Sequence, residues 1–158
     1  MHRGTQSAAE MVQNNRAEVR HTRDPLSDRI IGFAIDIHRE LGPGLLESAY
    51  CECLAHELSV AGIPFEREVP VPLRYKAVTL ACSYRLDFVV QHRLILEIKS
   101  VDALLPVHEA QLLTYLKLTG KPVGLLLNFK EVLLKNGILR RVNSTPPQPT
   151  LCSSAPSV

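Results

Sequence analysis

Apolar residues recur at helical spacing over residues 26–41, through Ile30, Ile31, Ala34, Ile37 and Leu41, with His38 on the same face. Asp24 or Ser27 stands where an N-cap belongs, and Gly42-Pro43-Gly44 ends the run, because proline cannot continue a helix and glycine tolerates unusual backbone angles. A second helix is predicted over about residues 45–61, stopped by Gly62. A strand follows over about residues 65–73, then two alternating runs over residues 83–90 and 94–100. The next helix runs over about residues 107–119 and breaks at Gly120-Lys121-Pro122. Residues 123–129 are apolar throughout, as in a strand covered on both faces, and a last short strand is predicted near residues 137–142. Helix, helix, three strands, helix, strand, strand makes a mixed sheet flanked by helices, hence an α/β layered domain.

The two alternating runs carry the chemistry. In the first, Tyr84, Leu86, Phe88 and Val90 share one face, which leaves Arg85 and Asp87 on the other. In the second, Leu94, Leu96 and Ile98 share a face, which leaves Glu97 and Lys99 opposite it. A three-residue loop, Gln91-His92-Arg93, pairs Val90 with Leu94 and sets Asp87 across from Glu97. A one-residue slip would drive Asp87 into the core, so the apolar faces select this register. Two carboxylates opposed at about 4.5–5.5 Å between Cβ atoms repel unless something neutralises them. Mg²⁺, which takes hard oxygen ligands and often only one or two carboxylates, does so. The same register sets Arg85 opposite Lys99, which calls either for an anion between them or for Arg85 to bend into solvent.

A chain of 158 residues, 46% hydrophobic and 22% charged, suits one domain over residues 26–143, with an irregular arm over 1–25 and a Pro/Ser-rich tail over 144–158. A net charge of +2 does not by itself point to nucleic acid, so any basic surface is local. The chain shows no run of the ~20 apolar residues that span a bilayer and no signal-peptide core, so a cytoplasmic protein is expected. Cys51, Cys53, Cys82 and Cys152 make no Cys-x-x-Cys pair, and a structural zinc site is disfavoured.

The run from Leu41 to Tyr50 contains Gly-x-x-Glu-x-x-Tyr, as Gly44, Glu47 and Tyr50. With Tyr84-Arg85-Leu86-Asp87, Glu97-Ile98-Lys99, residues 108–116 and residues 124–129, it resembles the GxxExxY family, a branch of the PD-(D/E)XK nuclease superfamily. The resemblance covers about residues 26–142 and implies a restriction-endonuclease-like fold. It implies that Asp87, Glu97 and the Ile98 carbonyl bind Mg²⁺ (or Mn²⁺) and that Lys99 assists the attacking water. It further implies that Glu47 supports the metal or its water and that Gln111 and Tyr115 position substrate. Leu86 stands where the signature has proline, which leaves the metal-binding group intact. The implied activity is a metal-dependent nuclease hydrolysing nucleic acid, DNA before RNA. The alternative is a catalytically silent nucleic-acid- or protein-binding module on the same fold.

Plainer roles stand beside these. Glu47 in a first helical turn favours the positive helix end by about 0.3–1 kcal/mol. Tyr50, Gln111 and Tyr115 suit packing as well as contact with substrate. His38 suits a core hydrogen bond, His108 a helix start, and Lys117, Lys121, Lys130 and Lys135 either a solvated surface or a phosphate-attracting rim.

Overall fold

The computed structural model describes residues 24–144, without the side chains of residues 82 and 83. The predicted arm over residues 1–23 and the tail beyond residue 144 lie outside the described residues.

Helix α1 (Pro25–Leu41) begins one residue before its predicted start, because Asp24 caps it and Pro25 occupies the first helical position. The Asp24 carboxylate accepts from the Ser27 N–H at 3.2 Å and from the Ser27 hydroxyl, and it takes a charged hydrogen bond from Arg93 at 2.8 Å. Helix α1 thereby ties itself to the loop after β2. Helix α2 spans Glu47–Val60 and starts later than predicted. Strands β1 (Phe65–Tyr75), β2 (Val78–Val90) and β3 (Leu94–Lys99) follow, then helix α3 (Pro106–Thr119), strand β4 (Val123–Asn128), a 3-10 turn (Leu134–Gly137) and strand β5 (Ile138–Val142).

The strands form one five-stranded sheet in the order β1-β2-β3-β4-β5. Only β3 and β4 run parallel, joined by the crossover through α3. Helices α1 and α2 cover one face with a core that includes Ile30, Tyr50, Leu54, Phe88, Leu96 and Phe129. Helix α3 covers the other, through Leu112, Tyr115 and Leu116 against Leu86, Val89 and Ile95. This is the restriction-endonuclease-like α/β layering that the pattern implied. Strand β4 is buried throughout, as its unbroken apolar run predicted.

Two features depart from the alternation. The sequence puts Leu86, Phe88 and Val90 on one face, yet Leu86 packs with α3 while Phe88 and Val90 pack with α1 and α2. The face changes at Asp87, beside Glu68, whose φ of 49° is unusual for a residue with a side chain. The other departure is the extent of the β1–β2 pair. It continues to Tyr75↔Val78 and closes through Lys76-Ala77, well beyond the predicted end of the first strand.

Candidate active site

The predicted hairpin register holds: Val90 faces Leu94, Val89 faces Ile95 and Phe88 faces Leu96. The next step would set Asp87 against Glu97, and there regular pairing stops. The Asp87 N–H donates to the Glu97 carboxylate at 3.3 Å, and the Ile98 N–H donates to the Asp87 carboxylate at 2.8 Å. Each side chain thus substitutes for a missing ladder partner. Two acids are pinned where β2 and β3 separate, and each is left with one further oxygen. Lys99 follows at the end of β3, in register with Asn128 of β4.

Burial and mutual repulsion both act on these acids. Glu97 is only 4% exposed, and desolvation, then the Asp87 charge, push its carboxyl up to about 8. Asp87 is raised chiefly by burial, against the opposing Ile98 N–H and the Lys99 charge. Glu47, first residue of α2, is raised by burial and by Asp87, and is relieved by Lys99 and the Ser100 N–H. The structure therefore brings Glu47, Asp87, Glu97 and Lys99 within electrostatic reach of one another, although they come from three elements.

Tyr50 explains how Glu47 gets there. Its hydroxyl donates to the Gly42 carbonyl and accepts the Leu45 N–H at 3.0 Å, while its ring stacks on Phe129 at 4.2 Å. The loop before α2 is thus clamped from inside, and the Ser100 hydroxyl holds the Leu45 carbonyl from the β3 side at 3.1 Å. The Leu45 N–H is committed to this clamp, which is why α2 begins at Glu47 rather than at the predicted residue 45. In Gly44-x-x-Glu47-x-x-Tyr50 the tyrosine fixes the loop and the glutamate is the group presented.

On α3, Tyr115 is 3% exposed, and burial, then Glu97, push its phenol up to about 12, against a hydrogen bond from Gln111. Gln111 and Tyr115 therefore lie together on the Glu97 side of the sheet, as their spacing predicts. A cleft of about 200 Å³ opens beside the acids, lined by Glu47, Cys51, Arg67, Glu68 and Asp87 among others. A second, of about 410 Å³, adjoins it at Gly44, Glu47, Ser100 and Lys130.

Arg67 and Cys51 were not singled out from sequence. Arg67 is one alternating residue among many on β1, and only the fold shows it held by Glu52 at 2.7 Å and laid over the Phe88 ring. Cys51 reads as an ordinary thiol, but burial, Asp87 and Glu47 push it up to about 12. Arg85 turns to Glu68 of β1, 3.6 Å away, instead of facing Lys99. His38 donates to or accepts from the chain at the Glu131 carbonyl, 2.8 Å away, so it takes the core role. His108 accepts the Leu105 N–H at 3.0 Å and opens α3. Lys130 pairs with Asp102 at 2.7 Å.

Among the described residues no three or more His, Cys, Asp or Glu side chains are grouped so as to hold a metal ion. The donor set at hand is the Asp87–Glu97 pair, hard oxygen donors whose like charges disfavour each other's ionisation. A hydrated Mg²⁺ or Mn²⁺ fits such a pair, because it needs only one or two carboxylates and keeps water in its remaining positions. Among the described residues no helix is long and apolar enough to cross a membrane.

A family model described as PD-(D/E)XK nuclease superfamily matches residues 24–142. No curated protein and no solved structure matches the chain.

Proposed function

Since this chain belongs to the PD-(D/E)XK nuclease superfamily, we propose that it is a working metal-dependent nuclease that hydrolyses phosphodiester bonds of nucleic acid, with DNA as the substrate. The observation that carries this reading is the carboxylate pair pinned by Ile98 and Asp87 main-chain N–H groups, with Lys99 two residues beyond Glu97. Asp87, Glu97 and the Ile98 carbonyl are the groups to hold Mg²⁺ or Mn²⁺, with Glu47 beside them. When bound, such an ion polarises a phosphate oxygen and makes a bound water more acidic.

The chain's own residues supply the rest. Lys99 brings a positive charge to the place where a phosphate gathers negative charge in the transition state, and orients the attacking water. Glu47, accepting the Ser100 N–H, is held toward Lys99 and Asp87 and takes up a proton from that water's shell. Tyr115 keeps its proton at neutral pH and donates it in a hydrogen bond to a phosphate oxygen, steadied by Gln111. Arg67 adds a fixed cation on the cleft wall. Preference for DNA follows superfamily analogy, and so does a cytoplasmic setting. The finer placement in the GxxExxY branch rests on Gly44, Glu47 and Tyr50.

The test incubates purified full-length chain with linear, circular and single-stranded DNA and with RNA, with Mg²⁺ or Mn²⁺. Cleavage that disappears in Glu97→Ala and Lys99→Ala, both still folded by circular dichroism, supports the reading. Cleavage that persists in both comes from a contaminant. A chain that cleaves none of the four polymers is a binding module.

A further inference from the structure

Beyond the carboxylate cleft, the far ends of β1 and β2 form a ribbon of their own. Strand β2 pairs with β3 only from Phe88 to Val90, whereas its pairing with β1 continues out to Tyr75↔Val78. A two-stranded ribbon is marginal by itself, so its outer surface suits a contact better than a core.

The ribbon's composition is one-sided. From Val69 to Leu86 the chain carries Arg74, Lys76 and Arg85 and no acidic residue. Tyr75 is 62% exposed and Tyr84 42%, with Val78 and Leu80 exposed as well. Directly opposed residues share a face, so Tyr84 lies with Val71 and Tyr75 with Val78, and alternation along β2 adds Leu80. The Tyr84 ring lies 5.6 Å from that of Tyr115, the residue coupled to Glu97. A stripe of exposed rings and apolar side chains therefore leads away from the carboxylate pair, and Tyr84 and Val78 are roughly 20 Å apart along β2. The Lys76 ammonium lies 5.4 Å from the Tyr75 ring centroid, so a cation and an aromatic face sit together at the tip. Arg85 is in a surface pair with Glu68, and a phosphate can replace that partner.

The geometry points to this ribbon as the track for a single-stranded segment of nucleic acid. Tyr84 and Tyr75 offer stacking faces to unpaired bases, and Arg74, Lys76 and Arg85 contact phosphates. Strand addition along the β1 edge is opposed by Pro70 and Pro72, which lack the N–H that pairing needs. The inference deepens the nuclease reading and rests on it only for where the strand leads.

Fluorescence anisotropy on the full chain without divalent ion tests it, using labelled single-stranded DNA of roughly 16 nucleotides and its duplex. The single strand binds more tightly than the duplex. Arg74→Ala with Lys76→Ala weakens that binding roughly 25-fold at about 0.1 M salt and flattens the salt slope by about 1.4, the share of two phosphate contacts on a single strand. Tyr75→Ala weakens it at least about five-fold, whereas Tyr75→Phe keeps the stacking face and binds as the unaltered chain does. Melting curves confirm that each variant folds, and Lys76→Glu at the exposed turn replaces any alanine variant that does not.

Unchanged affinity in these variants overturns the inference. So does an equal loss in Arg29→Ala with Arg39→Ala on α1, or tighter binding of the duplex. A dimer in sedimentation that Tyr75→Ala splits would make the stripe a contact between copies and overturn it as well. Ribbon-dependent binding with no cleavage keeps the inference and removes the hydrolytic reading. Lys99-dependent cleavage with ribbon-independent binding does the reverse.

Discussion

Replacing Tyr50 by phenylalanine removes one oxygen and leaves its ring stacked on Phe129. The lost hydroxyl leaves the Leu45 N–H and the Gly42 carbonyl without their partner. Each neutral hydrogen bond contributes about 0.5–1.5 kcal/mol, so two give about 1–3 kcal/mol. Leu45 is 39% exposed, so water satisfies part of that loss and places the cost near 1–2 kcal/mol. At an unfolding entropy of about 2.1 cal/mol/K per residue, a domain of this size melts roughly 4–8 °C lower. Thermal and urea unfolding read the change. A loss of cleavage should accompany it, because the clamped loop leads directly into Glu47. If Tyr50 acts through Glu47, the double variant Tyr50→Phe/Glu47→Gln cleaves no more slowly than Glu47→Gln alone. A Tyr50→Phe protein that melts within about 0.3 kcal/mol of the unaltered chain refutes the clamp. Additive losses in the double variant refute its link to Glu47.

Asp24→Ala removes the α1 cap and the Arg93 partner together and should cost about 1–2 kcal/mol in urea unfolding. Burial raises the Asp24 carboxyl, but Ser27 and Arg93 outweigh it and the net shift is downward from 3.8. Its stabilisation is therefore full above the ordinary carboxylate range and lost as pH falls through the lowered value. Acid unfolding of Asp24→Asn should lack that component, and an unchanged acid limb would contradict the assignment. In a variant whose other cysteines are serine, Cys51 should react with a disulfide reagent roughly 1,000-fold more slowly when folded than when unfolded, following its shift from 9.0 to about 12. Equal rates would show the thiol is not buried among the acids. Gly137→Ala would set a Cβ 2.6 Å from the Asn128 carbonyl oxygen, so it should destabilise the domain by about 1–3 kcal/mol in the same assay.

The hairpin register was legible because two apolar faces and a three-residue loop admit one solution, and Asp87 and Glu97 meet where that solution puts them. The pinning by main-chain N–H groups was not legible. It depends on pairing that stops at Phe88↔Leu96, and alternation predicts pairing that continues. Leu86 changes sides for a related reason: Glu68 adopts a positive φ without being glycine, asparagine or aspartate, so no residue type announces the twist. Lys76-Ala77 likewise lacks the glycine or asparagine that marks a tight turn, and the outer β1–β2 ribbon went unpredicted. Arg67 and Cys51 reach the cleft through tertiary packing alone. Tyr50 was read as packing, which its stacked ring is. The motif glycine and tyrosine gain meaning only once the loop between them is seen folded onto the hydroxyl.

Calorimetric titration of Mn²⁺ into the full chain at about pH 8, with Asp87→Asn and Glu97→Gln in parallel, addresses the carboxylate pair most directly. One site in the unaltered chain, abolished in both folded variants, is the predicted result. Uptake that is absent from the unaltered chain, or undiminished in the two variants, would contradict a metal-dependent centre on this pair.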